Sequence, residues 1–307
     1  MKIQLLLDQF GVLFLSILLG FAAAKCKLMV RQDNEILSRI VMNVTLPCSI
    51  LYSVLGSSRV LENGQVWQML LVACLTALGI DMLSRLLCLV FRVRQDHQGL
   101  CRFLVIFFNI AYIGFPVVRA IFGQEAVFSA AVFNLVYMLL SYTYGVTLVC
   151  QTKTGDALGL KELFSPMLIA SVVAFALYIG KIEGPDLLVK AMSYVDQVTS
   201  PLSLIILGCS LASVSAKWVI GSWRLWAAVA VRMILFPLLC WYCLPLLGIS
   251  VHNAGVAAIL TAMPSAASAT MFCARYGNDQ ATASTCVVVT TLLSMVTTPL
   301  LCLLLLG

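Results

Sequence analysis

Two segments, Phe108-Asn-Ile-Ala-Tyr-Ile-Gly-Phe-Pro116 and Ala262-Met-Pro-Ser-Ala-Ala-Ser-Ala-Thr270, carry most of the information about the fold. Each lies inside a long apolar run and combines a proline with residues of small side chain. Proline lacks the backbone N–H that an α-helix uses, and its ring clashes with the carbonyl one turn back. Pro116 and Pro264 therefore predict interrupted helices. The small residues beside them allow another backbone to come close.

The composition requires a membrane environment. The chain has 307 residues, of which 62% are hydrophobic and 10% charged, and its mean hydropathy is +1.03. Soluble domains normally carry about 25% charged residues, so this chain cannot cover a water-facing surface. A membrane span needs roughly 20 apolar residues. Ten runs approach that length: Leu5–Ala24, Ile36–Leu55, Val66–Phe91, Phe103–Phe122, Ala126–Val149, Leu163–Ile179, Leu187–Leu211, Trp223–Leu247, Ala254–Ala274 and Ala281–Leu306.

The two halves of the chain share motifs in one register. Asn43-Val-Thr-Leu-Pro-Cys-Ser49 matches Gln197-Val-Thr-Ser-Pro-Leu-Ser203 at valine, threonine, proline and serine. At the same offset, half the chain, Phe122-Gly-Gln-Glu125 matches Tyr276-Gly-Asn-Asp279. Because each half has five spans, the second half must enter the membrane from the opposite side. Secondary transporters commonly use such inverted repeats and hold their substrate near the midplane.

This symmetry predicts an all-α integral membrane protein of ten transmembrane helices. The helices form two inverted five-helix repeats, residues 1–155 and 156–307, with broken crossover helices 4 and 9. Unwound backbone persists at membrane depth only where it is buried in protein or lines an aqueous cavity. The breaks would point half-helix N-termini at one site, where their positive dipole ends favour an anion. Asn109, a polar residue within the membrane, lies beside the first break.

A second pair of prolines is expected to bend helices without breaking them. Pro47 and Pro201 occupy matched positions in the two repeats. Thr45 and Thr199 precede them, and their hydroxyl groups are expected to satisfy the carbonyl groups that the prolines leave free. We therefore interpret both prolines, together with Asn43, as scaffold features that face the site.

Ionisable residues inside the spans are candidate functional groups, because charge at membrane depth is costly. Asp81 lies in the third apolar run and Arg232 in the eighth, which are equivalent runs in the repeat. Two interpretations stay open: a structural salt bridge between them, or a functional role. In the second, Arg232 binds a substrate carboxylate and Asp81 carries a coupling proton. Arg85, one turn beyond Asp81, is an alternative partner, and Asp196 is expected near a membrane interface.

These residues resemble the auxin efflux carrier family, which includes bacterial malonate carriers. The resemblance rests on N-x-x-L-P at Asn43–Pro47, N-x-x-x-I-G-F-P at Asn109–Pro116, A-M-P at Ala262–Pro264 and A-R-Y-G at Ala274–Gly277. It implies a scaffold of helices 1, 2, 6 and 7, which also forms a homodimer. It further implies a moving transport unit of helices 3–5 and 8–10 and elevator-like transport. Family substrates are organic anions such as malonate, malate or indole acids.

The resemblance also implies roles for single residues. Asn109 matches the crossover asparagine of the family, Pro264 its second crossover proline, and Ala267 a backbone position that lines the site. Tyr142 falls where some members place an aromatic site residue. One position departs from the family: Phe108 stands where plant members carry a crossover proline, which predicts a milder break in helix 4.

The predicted function is secondary active transport of a small organic anion of the malonate or malate type, with an anion channel or a membrane receptor as alternatives. Gln151–Glu162 is far shorter than the cytoplasmic loop of plant members, so auxin is not the expected substrate. No motif of a metalloprotease or serine hydrolase is present, so we predict no enzyme activity. We predict no cofactor other than a coupling H⁺ or Na⁺.

The predicted partners are the anion, the lipid bilayer and a second copy of the chain. The net charge of +6 reflects basic cytoplasmic loops, not nucleic-acid binding. The distribution of Lys and Arg among the loops predicts a multi-pass protein of the cell membrane with both termini outside. The predicted substrate contacts are Asn109, Tyr112, Gly114, Tyr142, Pro264, Ser265, Ala267, Ser268 and Arg232, with Asp81 for coupling and Pro116, Asn43, Pro47 and Pro201 as helix breaks or scaffold bends.

Overall fold

A computed structural model of the chain describes residues 3–56, 63–150, 165–212 and 223–306. The regular structure in these ranges is helical, which confirms the all-α prediction. The extended pairing within them is one isolated antiparallel bridge, between Phe108 and Ser265. The loop Gln151–Glu162 lies outside the described residues.

The first half of the chain contains three π-helical turns, labelled π1 to π3, among its α-helices. Two of these turns lie within continuous helices, because the residues on either side keep right-handed helical torsion angles. The elements are α1 (Ile3–Lys25), α2 (Arg31–Ile40), π1 (Val41–Thr45), α3 (Leu46–Leu55), α4 (Asn63–Val90), α5 (Gln95–Ile106), π2 (Ile110–Gly114), α6 (Phe115–Phe122), α7 (Ala126–Leu140), π3 (Ser141–Gly145) and α8 (Val146–Val149).

The second half consists of α-helices, one pair of which is separated by a short extended segment. The helices are α9 (Pro166–Gly180), α10 (Asp186–Ala212), α11 (Trp223–Leu246), α12 (Val251–Ala262), α13 (Ser268–Tyr276) and α14 (Gln280–Leu306). Pro201 lies inside α10, and α10 continues through it.

Several of these helices are suited to a bilayer. Six are long and apolar enough to cross a membrane: Gln32–Leu55, Gly64–Val90, Ala126–Val149, Asp186–Ala212, Trp223–Leu246 and Gln280–Leu305. Four shorter helices are also apolar: Gly11–Lys25, Ile110–Phe122, Pro166–Gly180 and Val251–Ala262. On α4, Leu78, Met82 and Leu89 are exposed at helical spacing. Such an outward apolar face fits lipid, and the protein is a multi-pass membrane protein.

The helices pack as two sets. In the α10 set, α10 packs along α1 and against α2 and α3, and α9 packs against α3. In the α11 set, α11 packs against α12 and α14, while α4 packs against α5 and α7. We assign α1–α3, π1, α9 and α10 to the first set, and α4–α8, π2, π3 and α11–α14 to the second. Contacts between the sets include those of α7 with α3 and α9, and of π2 with α10.

A pair of glycines brings α1 and α10 close together. A Cβ atom added to Gly20 would lie 2.1 Å from the carbonyl oxygen of Ile205, and one added to Gly208 would lie 2.0 Å from that of Ile17. Small residues allow membrane helices to bring their backbones into contact. The absence of side chains at these two positions therefore sets the spacing of the two helices.

The expected role of the threonines beside the second proline pair is wrong. Pro47 lies in the first turn of α3, directly after π1. In π1 the widened turn re-pairs the backbone itself, because the N–H of Leu46 donates to the carbonyl of Val41. Thr45 and Thr199 are buried, but their hydroxyl groups have no hydrogen-bond partner among the described residues. Asn43 is exposed and does not line the cavity described below.

Replacing Gly20 by alanine should push α1 away from α10, because the new methyl group would overlap backbone atoms that cannot rotate aside. We expect a loss of about 1–3 kcal/mol in the free energy of unfolding, as for other overpacked sites. Thermal unfolding in detergent would measure it. The matched control on the same helix is Gly11→Ala, where nothing lies within 4 Å of the added Cβ. Alanine favours a helix over glycine by about 1 kcal/mol, so the control should be neutral or stabilising. Equal stability of the two variants would contradict the close approach.

Candidate functional site

Two interrupted helices cross and hydrogen-bond to each other. The helix α5 ends at Ile106 and π2 begins at Ile110, while α12 ends at Ala262 and α13 begins at Ser268. In the crossing, the N–H of Asn109 donates to the carbonyl of Pro264 at 2.8 Å, and that of Ala266 donates to the carbonyl of Phe107 at 2.9 Å. These bonds satisfy backbone groups that neither helix can pair internally, which is the condition for unwound backbone within a membrane.

The break in the first of these helices lies earlier, and is more complete, than the sequence suggested. Phe107 has extended torsion angles, φ −102° and ψ 127°, and Asn109 has φ −81° and ψ 71°. The helix therefore unwinds fully without a proline at Phe108, and the expectation of a milder break is wrong. Pro116 lies beyond the break, directly after π2, where the N–H of Phe115 donates to the carbonyl of Ile110 and the widened turn accommodates the proline. The physical cause is the pairing with the second segment, which replaces the lost helical bonds.

Ser265 fastens the crossing and does not line the cavity described below. Its side chain is fully buried, and its hydroxyl group donates to the carbonyl of Leu104 at 2.7 Å. Leu104 lies in the last turn of α5, where carbonyl groups have no intrahelical donor. The N–H of Ser265 in turn donates to the hydroxyl oxygen of Thr290 at 3.4 Å. Pro264 is also buried within the crossing, and Gly114 packs against Leu260 of α12.

Arg232 caps the broken helix and does not pair with Asp81. Its side chain is fully buried, and Nη1 donates to the carbonyls of Thr261 and Met263, both at 2.7 Å. The guanidinium carbon lies 4.8 Å from the centre of the Phe108 ring. The partial negative charge at the C-terminus of α12 explains this placement, because a cation there satisfies carbonyls that the break leaves free. The expected salt bridge with Asp81 is therefore not formed, and Arg232 does not line the cavity.

Asp81 belongs to a different network within the α11 set. Its carboxylate accepts from Arg85 Nη2 at 3.0 Å, from Arg102 Nη2 at 2.8 Å and from the Tyr144 hydroxyl group at 2.8 Å. Arg102 also contacts the Tyr144 hydroxyl group directly. This network joins α4, α5 and π3. Of the two partners that the sequence suggested for Asp81, Arg85 is confirmed. Arg102 is a second charged partner, which the sequence did not suggest.

A cavity of about 120 Å³ lies beside the crossing. Five of the predicted contacts line it: Asn109, Tyr112, Tyr142, Ala267 and Ser268. Four do not: Gly114, Pro264, Ser265 and Arg232. The remaining lining residues are Met42, Phe107, Phe108, Ile110, Ala111, Asn134, Tyr137, Met138, Ser141, Met167 and Ala266.

The cavity is polar at the crossing and carries no charged side chain among the residues that the structure describes around it. Asn109 is 4% exposed, and its Oδ1 accepts from the N–H of Tyr112 at 3.3 Å. The Nδ2 group of Asn109 has no partner among the described residues, so it is free to donate to a ligand. The N-terminal residues Ile110 and Ser268 of two helical segments also line the cavity. Helix N-termini present unpaired N–H groups and positive dipole ends to such a space.

Several residues that line the cavity are not among the contacts predicted from the sequence. Asn134 and Ser141 are buried, 8% and 9% exposed, and approach the cavity from α7 and π3. A polar side chain inside a membrane helix usually faces the protein interior, so Asn134 could have been proposed on that ground. Met42 and Met167 have no comparable signal, because methionine is an ordinary apolar residue in such a chain.

A helical membrane protein whose two interrupted helices cross beside a cavity has the construction of a membrane transporter. The comparison with protein families agrees: a family model described as membrane transport protein matches residues 10–157 and 152–302. The chain belongs to this family, which is the auxin efflux carrier type of membrane transport protein. It is also similar to an uncharacterized transporter of Methanocaldococcus jannaschii, with 24% identity over 272 residues, covering 85% of this chain and 86% of the relative.

Replacing Ser265 by alanine should destabilise the protein more than it alters any ligand affinity. The substitution leaves the buried carbonyl of Leu104 without its donor, which costs about 1–3 kcal/mol in the free energy of unfolding. Thermal unfolding of the purified protein would measure the loss. Ser268→Ala is the matched control, since Ser268 is partly exposed in the cavity and its hydroxyl group holds no helix end. If both variants were as stable as the parent, Ser265 would have no role in fastening the crossing.

Proposed function

We propose that this transporter carries a small organic anion of the malonate or malate type across the cell membrane by elevator-type alternating access. In this proposal the ten apolar helices form two inverted five-helix repeats, residues 1–155 and 156–307. The α10 set is a stationary scaffold that also pairs with a second copy of the chain, and the α11 set is the moving unit. The observation that carries the proposal is the antiparallel contact between Phe107–Asn109 and Pro264–Ala266 beside the cavity.

The preference for an anion rests on the donors that face the cavity. Asn109 offers a buried amide N–H group without a partner, and the N-terminal ends of π2 and α13, at Ile110 and Ser268, direct positive dipole ends toward the cavity. Negative charge is favoured at helix N-termini by about 0.3–1 kcal/mol per interaction, and more where water is excluded. No carboxylate lies among the described lining residues to oppose an anion. A cavity of about 120 Å³ suits a compound of a few carbon atoms.

The elevator mechanism rests on where the cavity lies between the two sets. Met42 of π1 and Met167 of α9 line one wall, and both belong to the α10 set. The other walls come from the crossing, α7 and π3, all in the α11 set. The polar groups that would hold an anion therefore belong to the α11 set alone. Sliding this set along the apolar wall of Met42 and Met167 would carry the bound anion without breaking polar contacts between the anion and the scaffold.

Uptake of labelled dicarboxylates into proteoliposomes tests the proposal. A panel of malonate, malate, succinate and a monocarboxylate control would be measured with imposed proton or sodium gradients. We expect saturable uptake of at least one dicarboxylate. Flux that rises linearly with concentration would favour a channel instead, and binding without uptake would favour a receptor. An absence of both uptake and binding across the panel would refute the anion proposal.

Replacing Asn109 by alanine should strongly raise the apparent KM of uptake while leaving the fold intact. A hydrogen bond to a charged group contributes about 1.5–3 kcal/mol, so its loss weakens binding by about ten- to a hundredfold. The apparent KM of uptake and the thermal unfolding midpoint would both be measured. Asn43→Ala is the matched control, because Asn43 is exposed and does not line the cavity. Full uptake by the Asn109 variant would show that the anion binds elsewhere.

A further inference from the structure

Two charged side chains are fully buried within the described residues, and only one of them has its polar partners in its own helix set. Arg232 lies in the α11 set and is capped by carbonyls of α12, which belongs to the same set. Asp196 lies in the middle of α10, with no exposed side-chain surface. Its expected position near a membrane interface stays a prediction. Its charged partner is Arg119 of α6, in the other set.

Asp196 and Arg119 form an ion pair that is not fixed by aligned hydrogen bonds. Arg119 Nη1 lies 2.9 Å from Asp196 Oδ2, and the arginine side chain is 29% exposed. Neither carboxylate oxygen receives an aligned hydrogen bond from the described residues. The carboxylate is thus balanced by charge alone, without the directed donors that usually fix a buried ion pair.

Hydroxyl groups without hydrogen-bond partners follow Asp196 along the same face of α10. Thr199 and Ser203 follow Asp196 by one and two helical turns and share its face. Both side chains are more than nine-tenths buried, and neither hydroxyl group has a partner among the described residues. Thr45 has the same property, and it lies in π1, which packs against α10. A carboxylate with neighbouring hydroxyl oxygens is a donor set suited to a small hard cation.

The charges around Asp196 leave Arg119 as its counter-ion. Among the described residues, the thiol of Cys48 on α3 is a further ionisable group within electrostatic range of the Asp196 carboxylate. The described charged side chains on α1 and α2 are exposed: Asp8, Lys25, Asp33, Glu35 and Arg39. On π2, which also packs against α10, the ionisable residue is Tyr112.

Movement of the α11 set would carry Arg119 away and leave Asp196 without a counter-ion. An unpaired buried carboxylate is strongly destabilising, so the carboxylate must be neutralised before the sets can separate. We propose that Asp196, with the neighbouring hydroxyl group of Thr199, binds a monovalent cation, H⁺ or Na⁺, in exchange for Arg119. The inference rests on the proposed function, because it needs the two sets to move. Asp81 does not meet the same condition, since Arg85 and Arg102 belong to its own set and move with it.

The exchange would couple cation binding to transport. With Arg119 in contact, the cation site is closed, as in this structure. With the cation bound, the ion pair no longer holds α6 against α10, and the α11 set is released. The cation therefore lowers the barrier to movement, and a cation gradient would drive the cycle in one direction.

Infrared difference spectroscopy of the purified full-length protein in nanodiscs tests the site without any substrate. In Na⁺-free buffer, Arg119→Gln should produce the carbonyl-stretch band of a protonated carboxyl group, because Asp196 has lost its counter-ion. The band should be absent from the parent, from Arg119→Lys and from the double variant Arg119→Gln/Asp196→Asn. Persistence of the band after addition of Na⁺ identifies the cation as a proton, and its disappearance identifies Na⁺. No band in Na⁺-free buffer would overturn the proposal.

A transport measurement provides the second readout, and it does not depend on the Arg119 variants folding. With the dicarboxylate that the parent transports, Asp196→Asn should remove the stimulation of uptake by the driving cation gradient, so that the ratio of rates with and without the gradient falls to one. Asp186→Asn, an exposed carboxylate on the same helix, is the control and should keep the ratio of the parent. A gradient response equal to the parent's in Asp196→Asn would overturn the cation site. Lack of uptake by the parent would instead count against the proposed function, and the infrared result would stand by itself.

Discussion

The structure depends on one requirement: backbone polar groups at membrane depth must find partners. Two helices are interrupted, and each interruption would leave N–H and C=O groups exposed to a medium that cannot solvate them. The extended segments solve this by pairing with each other, through Asn109 and Ala266. The carbonyls that remain at the helix ends are taken up by side chains, Ser265 at the end of α5 and Arg232 at the end of α12. The donor that remains without a partner in this part of the described chain is the Nδ2 amide group of Asn109, which lines the cavity.

The sequence was sufficient to predict the helical class and one of the two breaks. Continuous apolar runs and a low charge content admit few structures other than membrane helices. Pro264 marks its break directly, because it follows the last helical residues of α12. Pro116 was a poorer guide, because it lies beyond the break, where π2 continues into α6. The true position, at Phe107–Asn109, depends on a hydrogen-bonding partner from the other half of the chain, which local sequence does not reveal.

The charged residues show where sequence reasoning fails for a physical reason. A charged residue inside an apolar run implies a compensating group in the folded protein, but that group need not be charged. For Arg232 it is a pair of backbone carbonyls, and every helix end supplies such groups whatever its sequence. For Asp81 it is a combination of an arginine on the same helix with groups from α5 and π3. The pairing of Asp81 with Arg85 was detectable from their spacing of four residues, whereas the partners from α5 and π3 required the packed structure.

The neutral lining of the cavity has a consequence for the return of the empty carrier. A lysine or arginine in that position would bind an anion more strongly, but it would stand as a bare cation once the anion had left. Moving that cation through the low-dielectric interior would cost far more than moving an uncharged cavity. Amide and backbone dipoles can be satisfied by water after release. If the α11 set moves as proposed, a binding site without fixed charge therefore lowers the affinity for the anion but also lowers the cost of returning the empty carrier.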